Sequence, residues 1–178
     1  MASATVRPAA PGDVEEIVRI QSGTWALAYA DLVPASALDQ LGSAAAAGAW
    51  RAAVEAGAVH VAAEGVFTVG FVAAGPADVP DGTPLGADAW GEIGTLLVEP
   101  RWARRGHGGR LLVAAAAGLR ERGAKYGQAW VPESDDASRR FYVRAGWEPD
   151  GSVRGLDTGE GVLRELRFTG SLDLTTTP

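Results

Sequence analysis

Apolar positions return along this chain with two periods, and the switches between them mark the elements. From Pro11 to Leu32 ("PGDVEEIVRIQSGTWALAYADL") Val14, Ile17 and Val18, then Trp25 and Tyr29, recur three or four apart. That is the period of a helix, with Asp13 placed to cap it and Gly23 to divide it into two segments. "PASALDQL" and "SAAAAGAWRAAVEAG" predict further helix, ending at Gly57. "AVHVAAE" and "VFTVGFVAAG" are two apolar strands joined through Glu64-Gly65, a hairpin signal, and "TVRPA" is a short first strand closed by Pro8. After a Pro-, Gly- and Asp-rich loop from Pro76 to Trp90, "GEIGTLLVEP" predicts a strand stopped by Pro100. A helix follows from His107 to Arg122, with Leu111, Leu112, Ala115 and Leu119 in one stripe. "GQAWVPE" is a strand, "DDASRRFYVRAG" a helix ended by Gly146, and "GVLRELRFTG" a last strand, with a loose tail expected after Gly170.

Strand, helices, a run of strands, then helix, strand, helix, strand is the order of an α/β fold with a mixed sheet. The 178 residues suit one domain over 1–170, with 171–178 as a flexible C-terminal tail. At 47% hydrophobic and 21% charged the composition is that of a globular protein. The longest apolar stretch, "LLVAAAAGL", is far short of the roughly 20 residues of a membrane span, and "MASATVRPAAP" lacks the apolar core of a signal peptide. With no cysteine there is neither disulfide nor thiolate nucleophile, and two histidines leave little for a metal site, so none is expected. A cytoplasmic location is the simplest expectation. The net charge of −6 argues against nucleic-acid binding. Yet seven of the sixteen cations fall between Arg101 and Lys125, where Glu121 is the single acid.

That cluster surrounds "VEPRWARRGHGGRLL", where a strand enters a helix through Gly106, Gly108 and Gly109. The first amides of a helix have no partners and, with the helix dipole, attract an anion; glycines allow close approach to a phosphate. A P-loop would need Lys-Ser or Lys-Thr after the glycines, and a dinucleotide fingerprint would need glycine at Leu111; neither is present.

The stretch resembles the pyrophosphate-binding motif of the GNAT superfamily of N-acetyltransferases, [QR]-x-x-G-x-[GA] after a strand ending V-x-P. Here that is Val98-Glu99-Pro100, then Ala103-Arg104-Arg105-Gly106-His107-Gly108, with Ala103 in place of Gln or Arg. Downstream, "DDASRRFYVRAGWEP" resembles the family's N-x-x-A-x-x-F-Y-x-x-x-G-F: Phe141, Tyr142 and Gly146 sit on the pattern, with Asp135 where Asn is usual, Ser138 at the Ala position and Trp147 for Phe. The resemblance spans about Thr5 to Thr169. It implies a GNAT-like, mostly antiparallel central sheet of about six to seven strands flanked by helices.

It also implies acetyl transfer from acetyl-CoA to a primary amine by direct attack in a ternary complex. The diphosphate would rest on Arg104, Arg105, Gly106, His107, Gly108 and Gly109, with the His107 side chain exposed. The pantetheine arm would pair with Leu96, Leu97 and Val98, the Leu97 amide receiving the thioester oxygen. Asp135, Ser138 and Phe141 would complete the coenzyme site. Tyr142 matches the family's donor to the departing thiolate. Glu92 is the first candidate for the base and Glu99 the second. An exposed strand-end carboxylate is an equal reading of Glu92. Trp25 and Tyr29, four apart on one helix, either line an acceptor pocket or pack in the core. The acidic remainder of the chain favours a small cationic amine or amino acid as acceptor over an acidic partner, and ahead of protein N-termini or lysines, which stay open. A homodimer is consistent with the family. The alternative is a non-catalytic acyl-CoA-binding regulatory or sensor protein of the same fold.

Overall fold

A computed structural model describes residues 4–79 and 85–174. Seven strands form one sheet: β1 (Ala4–Pro8), β2 (Val59–Glu64), β3 (Phe67–Pro76), β4 (Trp90–Val98), β5 (Tyr126–Pro132), β6 (Glu148–Asp157) and β7 (Val162–Ser171), in the order β1-β2-β3-β4-β5-β7-β6. All neighbours are antiparallel except β4 and β5, which the crossover through α4 (His107–Glu121) makes parallel. The other helices are α1 (Val14–Ala28), α2 (Ala35–Leu41), α3 (Ala44–Glu55) and α5 (Asp136–Arg144).

Alternation along the strands sends side chains into two cores. Val72, Leu96 and Ile93 meet the α4 stripe of Leu111, Leu112, Ala115 and Leu119, together with Tyr142 of α5. Phe71, Val59 and Val61 meet Val14, Ile17 and Ile20 of α1 and Val54 of α3 on the opposite face. Glycine at 23 does not divide α1, which runs unbroken from Val14 to Ala28. A mid-helix glycine costs only about 1 kcal/mol against alanine, and the buried Ile17 and Ile20 hold the helix on the sheet.

The expected loose tail after Gly170 is corrected in its first part: β7 includes Ser171, and the Leu172 side chain is 1% exposed in the main core. The end of the tail, 175–178, and the middle of the Pro76–Trp90 loop, 80–84, lie outside the described residues. Strand β6 was not expected from the pattern. The tryptophan at 147 finds its room in a pair of glycines. Gly127 and Gly170 face each other across β5 and β7, and a Cβ on either would fall inside the Trp147 indole. The indole N–H donates to the Ser171 carbonyl at 3.1 Å.

Candidate active site

The site begins with a register slip in β4. Ala73 of β3 faces Thr95 but Ala74 faces Ile93, which leaves Gly94 as the extra residue of a bulge. Bulges bend the strand that carries them. Pairing of β4 with β5 stops at Ile93 and Ala129, although β4 runs on to Val98 and β5 to Pro132. From Gly94 onward the β5-facing edge of β4 is open. Glu99 N–H donates to Val69 at 2.9 Å, so by strand alternation the Leu97 amide also faces β3. The amides presented to the open edge are those of Leu96 and Val98, so the Leu97 amide, the expected donor to a thioester oxygen, faces β3 instead.

Beyond β4, Pro100–Trp102 makes one 3-10 turn. The chain then passes through left-handed backbone at Arg104 (φ 63°) and Gly106 (φ 80°) to start α4. No side chain caps this helix, and its first backbone bond is Arg110 N–H to the Gly106 carbonyl. The amides of His107, Gly108 and Gly109 therefore have no backbone acceptor among the described residues and point out of the helix end. A Cβ on Gly109 would meet nothing within 4 Å, whereas one on Gly108 would press on the Phe141 ring at 3.2 Å. Gly108 is thus what lets α5 close against the start of α4.

The open edge of β4, this helix start and α5 enclose a cleft of about 880 Å³. Leu96, Leu97, Val98, Arg104, Gly106, His107, Gly108 and Gly109 line it, as do Asp135, Ser138, Phe141, Tyr142 and Tyr29. Those expected residues are brought together. Tyr142 is buried, its ring stacked on Trp147 at 5.4 Å, and burial pushes its hydroxyl well above the ordinary tyrosine range.

Asp135 caps α5. Its carboxylate accepts from Ser138 N–H at 3.0 Å, Ser138 Oγ at 2.7 Å and the Tyr29 hydroxyl at 2.6 Å. Burial alone would raise its pKa, but these donors together hold it below the usual carboxylate range. Burial, reinforced by Asp135, drives the Tyr29 hydroxyl upward in turn.

Five expected residues end elsewhere. The His107 side chain is 2% exposed rather than exposed: its Nε2 lies 2.9 Å from Glu64 and its Nδ1 is buried without a partner. Position 107 is the first residue of α4, and its ring turns back over the end of β2, so only its backbone is available to the cleft. Arg105 is drawn away too, to Glu64 at 2.8 Å and onto the Trp102 ring at 4.9 Å. Trp25 packs edge-on to Tyr29 at 4.7 Å, in the small core with Val33 and Leu163, and does not line the cleft. Glu92 lies on the paired part of β4, on the face opposite α4, where Gln128 Nε2 donates to it at 2.7 Å. It does not line the cleft either. Glu99, the second candidate, is bound by Arg19 at 2.7 Å and Arg101 at 3.1 Å. The Arg19 hydrogen bond, foremost, lowers its proton affinity.

Sequence reasoning missed Arg140 and Arg144, which also line the cleft, and the fully buried Gln128. Arg140 and Arg144 are four apart in "RRFYVRAG", the spacing of one helix face, which was the available signal. Among the described residues no cluster could hold a metal ion, and no helix is long and apolar enough to cross a membrane.

A mixed sheet splayed beside an uncapped, glycine-led helix, with a buried tyrosine facing the splay, defines the acetyltransferase class of α/β protein. Residues 25–147 match the model of the acetyltransferase (GNAT) family, and the chain belongs to that family. No curated protein matches the sequence. Among solved structures it resembles PaiA N-acetyltransferase from Thermoplasma acidophilum in complex with coenzyme A, with a TM-score of 0.74 at 14% identity over 95% of this chain and 99% of that one. It also resembles yncA from Salmonella typhimurium with acetyl-CoA, with a TM-score of 0.73 at 19% identity over 99% and 98%. Ribosomal-protein-alanine N-acetyltransferase from Brucella melitensis gives 0.74 at 19% identity over 94% and 99%.

Proposed function

We propose that this protein transfers the acetyl group of acetyl-CoA to a small primary amine, without a covalent enzyme intermediate. The observation that carries the reading is the convergence, in one cleft, of the free amides of His107–Gly109, the open edge of β4 and the buried Tyr142. Each matches a different part of one molecule. The amides and Arg104 suit a diphosphate. The Leu96 and Val98 backbone suits the amide groups of a pantetheine arm, which would pair as an added strand. Acetyl-CoA supplies an acyl group activated as a thioester.

A lysine-like amine has a pKa of about 10.4 and arrives protonated, so a base must first free its lone pair. Asp135 is the one acid lining the cleft among the described residues, and its oxygens are already engaged. Glu92, which lies outside the cleft on the other face of β4, reaches the amine only through water, with Gln128 fixing its carboxylate. The amine nitrogen then attacks the thioester carbon, whose oxygen gains charge facing the amides of β4. As the C–S bond breaks, Tyr142 gives its proton to the sulfur and is reprotonated by the proton that the attacking nitrogen loses as the amide forms. Its raised pKa keeps it protonated, and so able to donate, throughout the physiological range.

The test is release of free CoA from acetyl-CoA with a panel of polyamines, aminoglycosides and amino acids. Turnover on at least one amine, with an acid limb in kcat/KM that Glu92→Gln abolishes, is the expected result. Tight coenzyme binding with no turnover on any amine would replace this reading with that of a non-catalytic acyl-CoA binder.

A further inference from the structure

The cations around the cleft divide into spent and unspent. Arg105 is held by Glu64, Arg101 by Glu99, and Arg139 by Asp136 at 3.3 Å and the Glu133 carbonyl at 3.2 Å. Arg110 donates to the Arg105 carbonyl. Arg104, Arg140 and Arg144 line the cleft, and none has an acidic partner among the described residues. Arg140 and Arg144 are also one turn apart on α5, where like charges repel. In a chain of net charge −6, two cations without acidic partners on one helix face beside the cleft offer a place for an anion.

The two positions are not equivalent to Arg104. Arg104 belongs to the loop that leads into the free amides. Arg140 and Arg144 stand across from it on α5, which the contact of Phe141 with Gly108 anchors beside those amides. The diphosphate of the coenzyme already has the amides and Arg104. Its remaining anion is the 3′-phosphate on the ribose, a monoester carrying close to two charges at neutral pH. Guanidinium forks match phosphate oxygens in geometry as well as charge.

We infer that Arg140 and Arg144 hold the 3′-phosphate and make this protein select coenzyme A over its 3′-dephospho form. The inference rests on the coenzyme reading above and adds to it the residues that read the nucleotide end. Both residues border the cleft, and both also border a smaller neighbouring pocket with Asp136, Arg139, Val143, Pro149 and Phe168.

Calorimetric titration with coenzyme A and with 3′-dephospho-CoA separates the possibilities. The parent protein is expected to bind coenzyme A at least about tenfold more tightly, the worth of a charge-assisted phosphate contact. The double variant Arg140→Gln/Arg144→Gln should lose most of that preference while its affinity for 3′-dephospho-CoA stays within about twofold. Arg104→Gln should weaken both ligands alike, and Arg139→Gln should change neither. Thermal melts of each variant establish that it is folded. Equal affinity of the parent for the two ligands overturns the inference but leaves the coenzyme reading standing. So does a double variant that keeps the preference, or one that weakens both ligands equally. A folded parent that binds neither ligand overturns both.

Discussion

Tyr29 and Asp135, 106 residues apart in sequence, are joined by a 2.6 Å hydrogen bond from the tyrosine hydroxyl to Oδ2 of the aspartate. The bond ties the residue that ends α1 to the cap of α5. An asparagine at 135 would accept the same cap bond but offer one oxygen rather than two. The acidic residue, a departure from the family pattern, is here explained by the extra donor. Tyr29→Phe is expected to cost about 1–2 kcal/mol in urea unfolding, the usual effect of losing a hydrogen bond to a charged group. Asp135→Ala, which also uncaps α5, should cost more. Equal stability of Tyr29→Phe and the parent would show that the bond contributes nothing.

The buried hydroxyl of Tyr142 has no hydrogen-bond partner among the described residues, and it lines the cleft. Tyr142→Phe keeps the ring against Trp147 and Phe168. It should lower kcat by on the order of 100-fold, in the range for a positioned proton donor, and leave the acetyl-CoA dissociation constant nearly unchanged. Since its pKa is displaced upward, the parent kcat should show no alkaline limb from this group. An unchanged kcat in Tyr142→Phe removes the role.

Left-handed backbone at Gly106 aims the amides that follow. Gly106→Ala adds a Cβ where φ is 80°, a cost of about 1–2 kcal/mol in stability. If the chain relieves that strain by rotating the loop, coenzyme affinity should fall together with the melting temperature. A variant with lower stability and parental affinity would show that the loop geometry is not what binds.

Acid sensitivity should centre on Asp13. Its carboxylate accepts both Arg7 guanidinium nitrogens, at 2.7 and 2.9 Å, and the Ala10 amide at 2.7 Å. The Arg7 bond, foremost, holds its pKa below the ordinary 3.8. A depressed folded-state pKa gives stability that is present above 3.8 and is lost as pH falls through the lowered value. Asp13→Asn should therefore reduce stability at neutral pH by roughly 1–2 kcal/mol and shrink the loss on acidification below pH 4. Parallel stability–pH curves for parent and variant would contradict this.

The floor under Trp147 gives a packing test. A methyl group at position 170 or 127 would occupy the space of the indole. Gly170→Ala should cost about 2–3 kcal/mol, as overpacking of a filled core does. Pairing it with Trp147→Phe should recover part of the loss. Additive losses in the double variant would mean that the indole and glycine do not share that space.

Much of this architecture is written in local chemistry. The α4 stripe, the hairpin at Gly65 and the glycine-led start of α4 depend on residues within a turn or two of one another, and their periods and turn residues could be read directly. Strand β6 could not be read. It is an edge strand with mostly exposed positions, "EPDGSVRGLD", so no alternation of apolar residues marks it, and pairing with β7 alone makes it a strand. The bulge at Gly94 is equally silent, because a glycine in a strand does not say which neighbour will slip past it.

At the cleft the division is the same. Gly106 and Gly108 were legible because glycines at a helix start mark an anion site, and Tyr142 because its Phe-Tyr stretch resembles the family motif. Only the folded chain turned His107 and Arg105 toward Glu64, sent Glu92 to the opposite face under Gln128, bound Glu99 between two arginines and linked Tyr29 to Asp135. By itself the sequence determined most of the elements, the glycine-led turn and the family. Which charges are neutralised and which face the cleft was decided by tertiary structure. A side chain's partner is chosen by distance in space, and contacts between residues forty to a hundred positions apart leave no period along the chain.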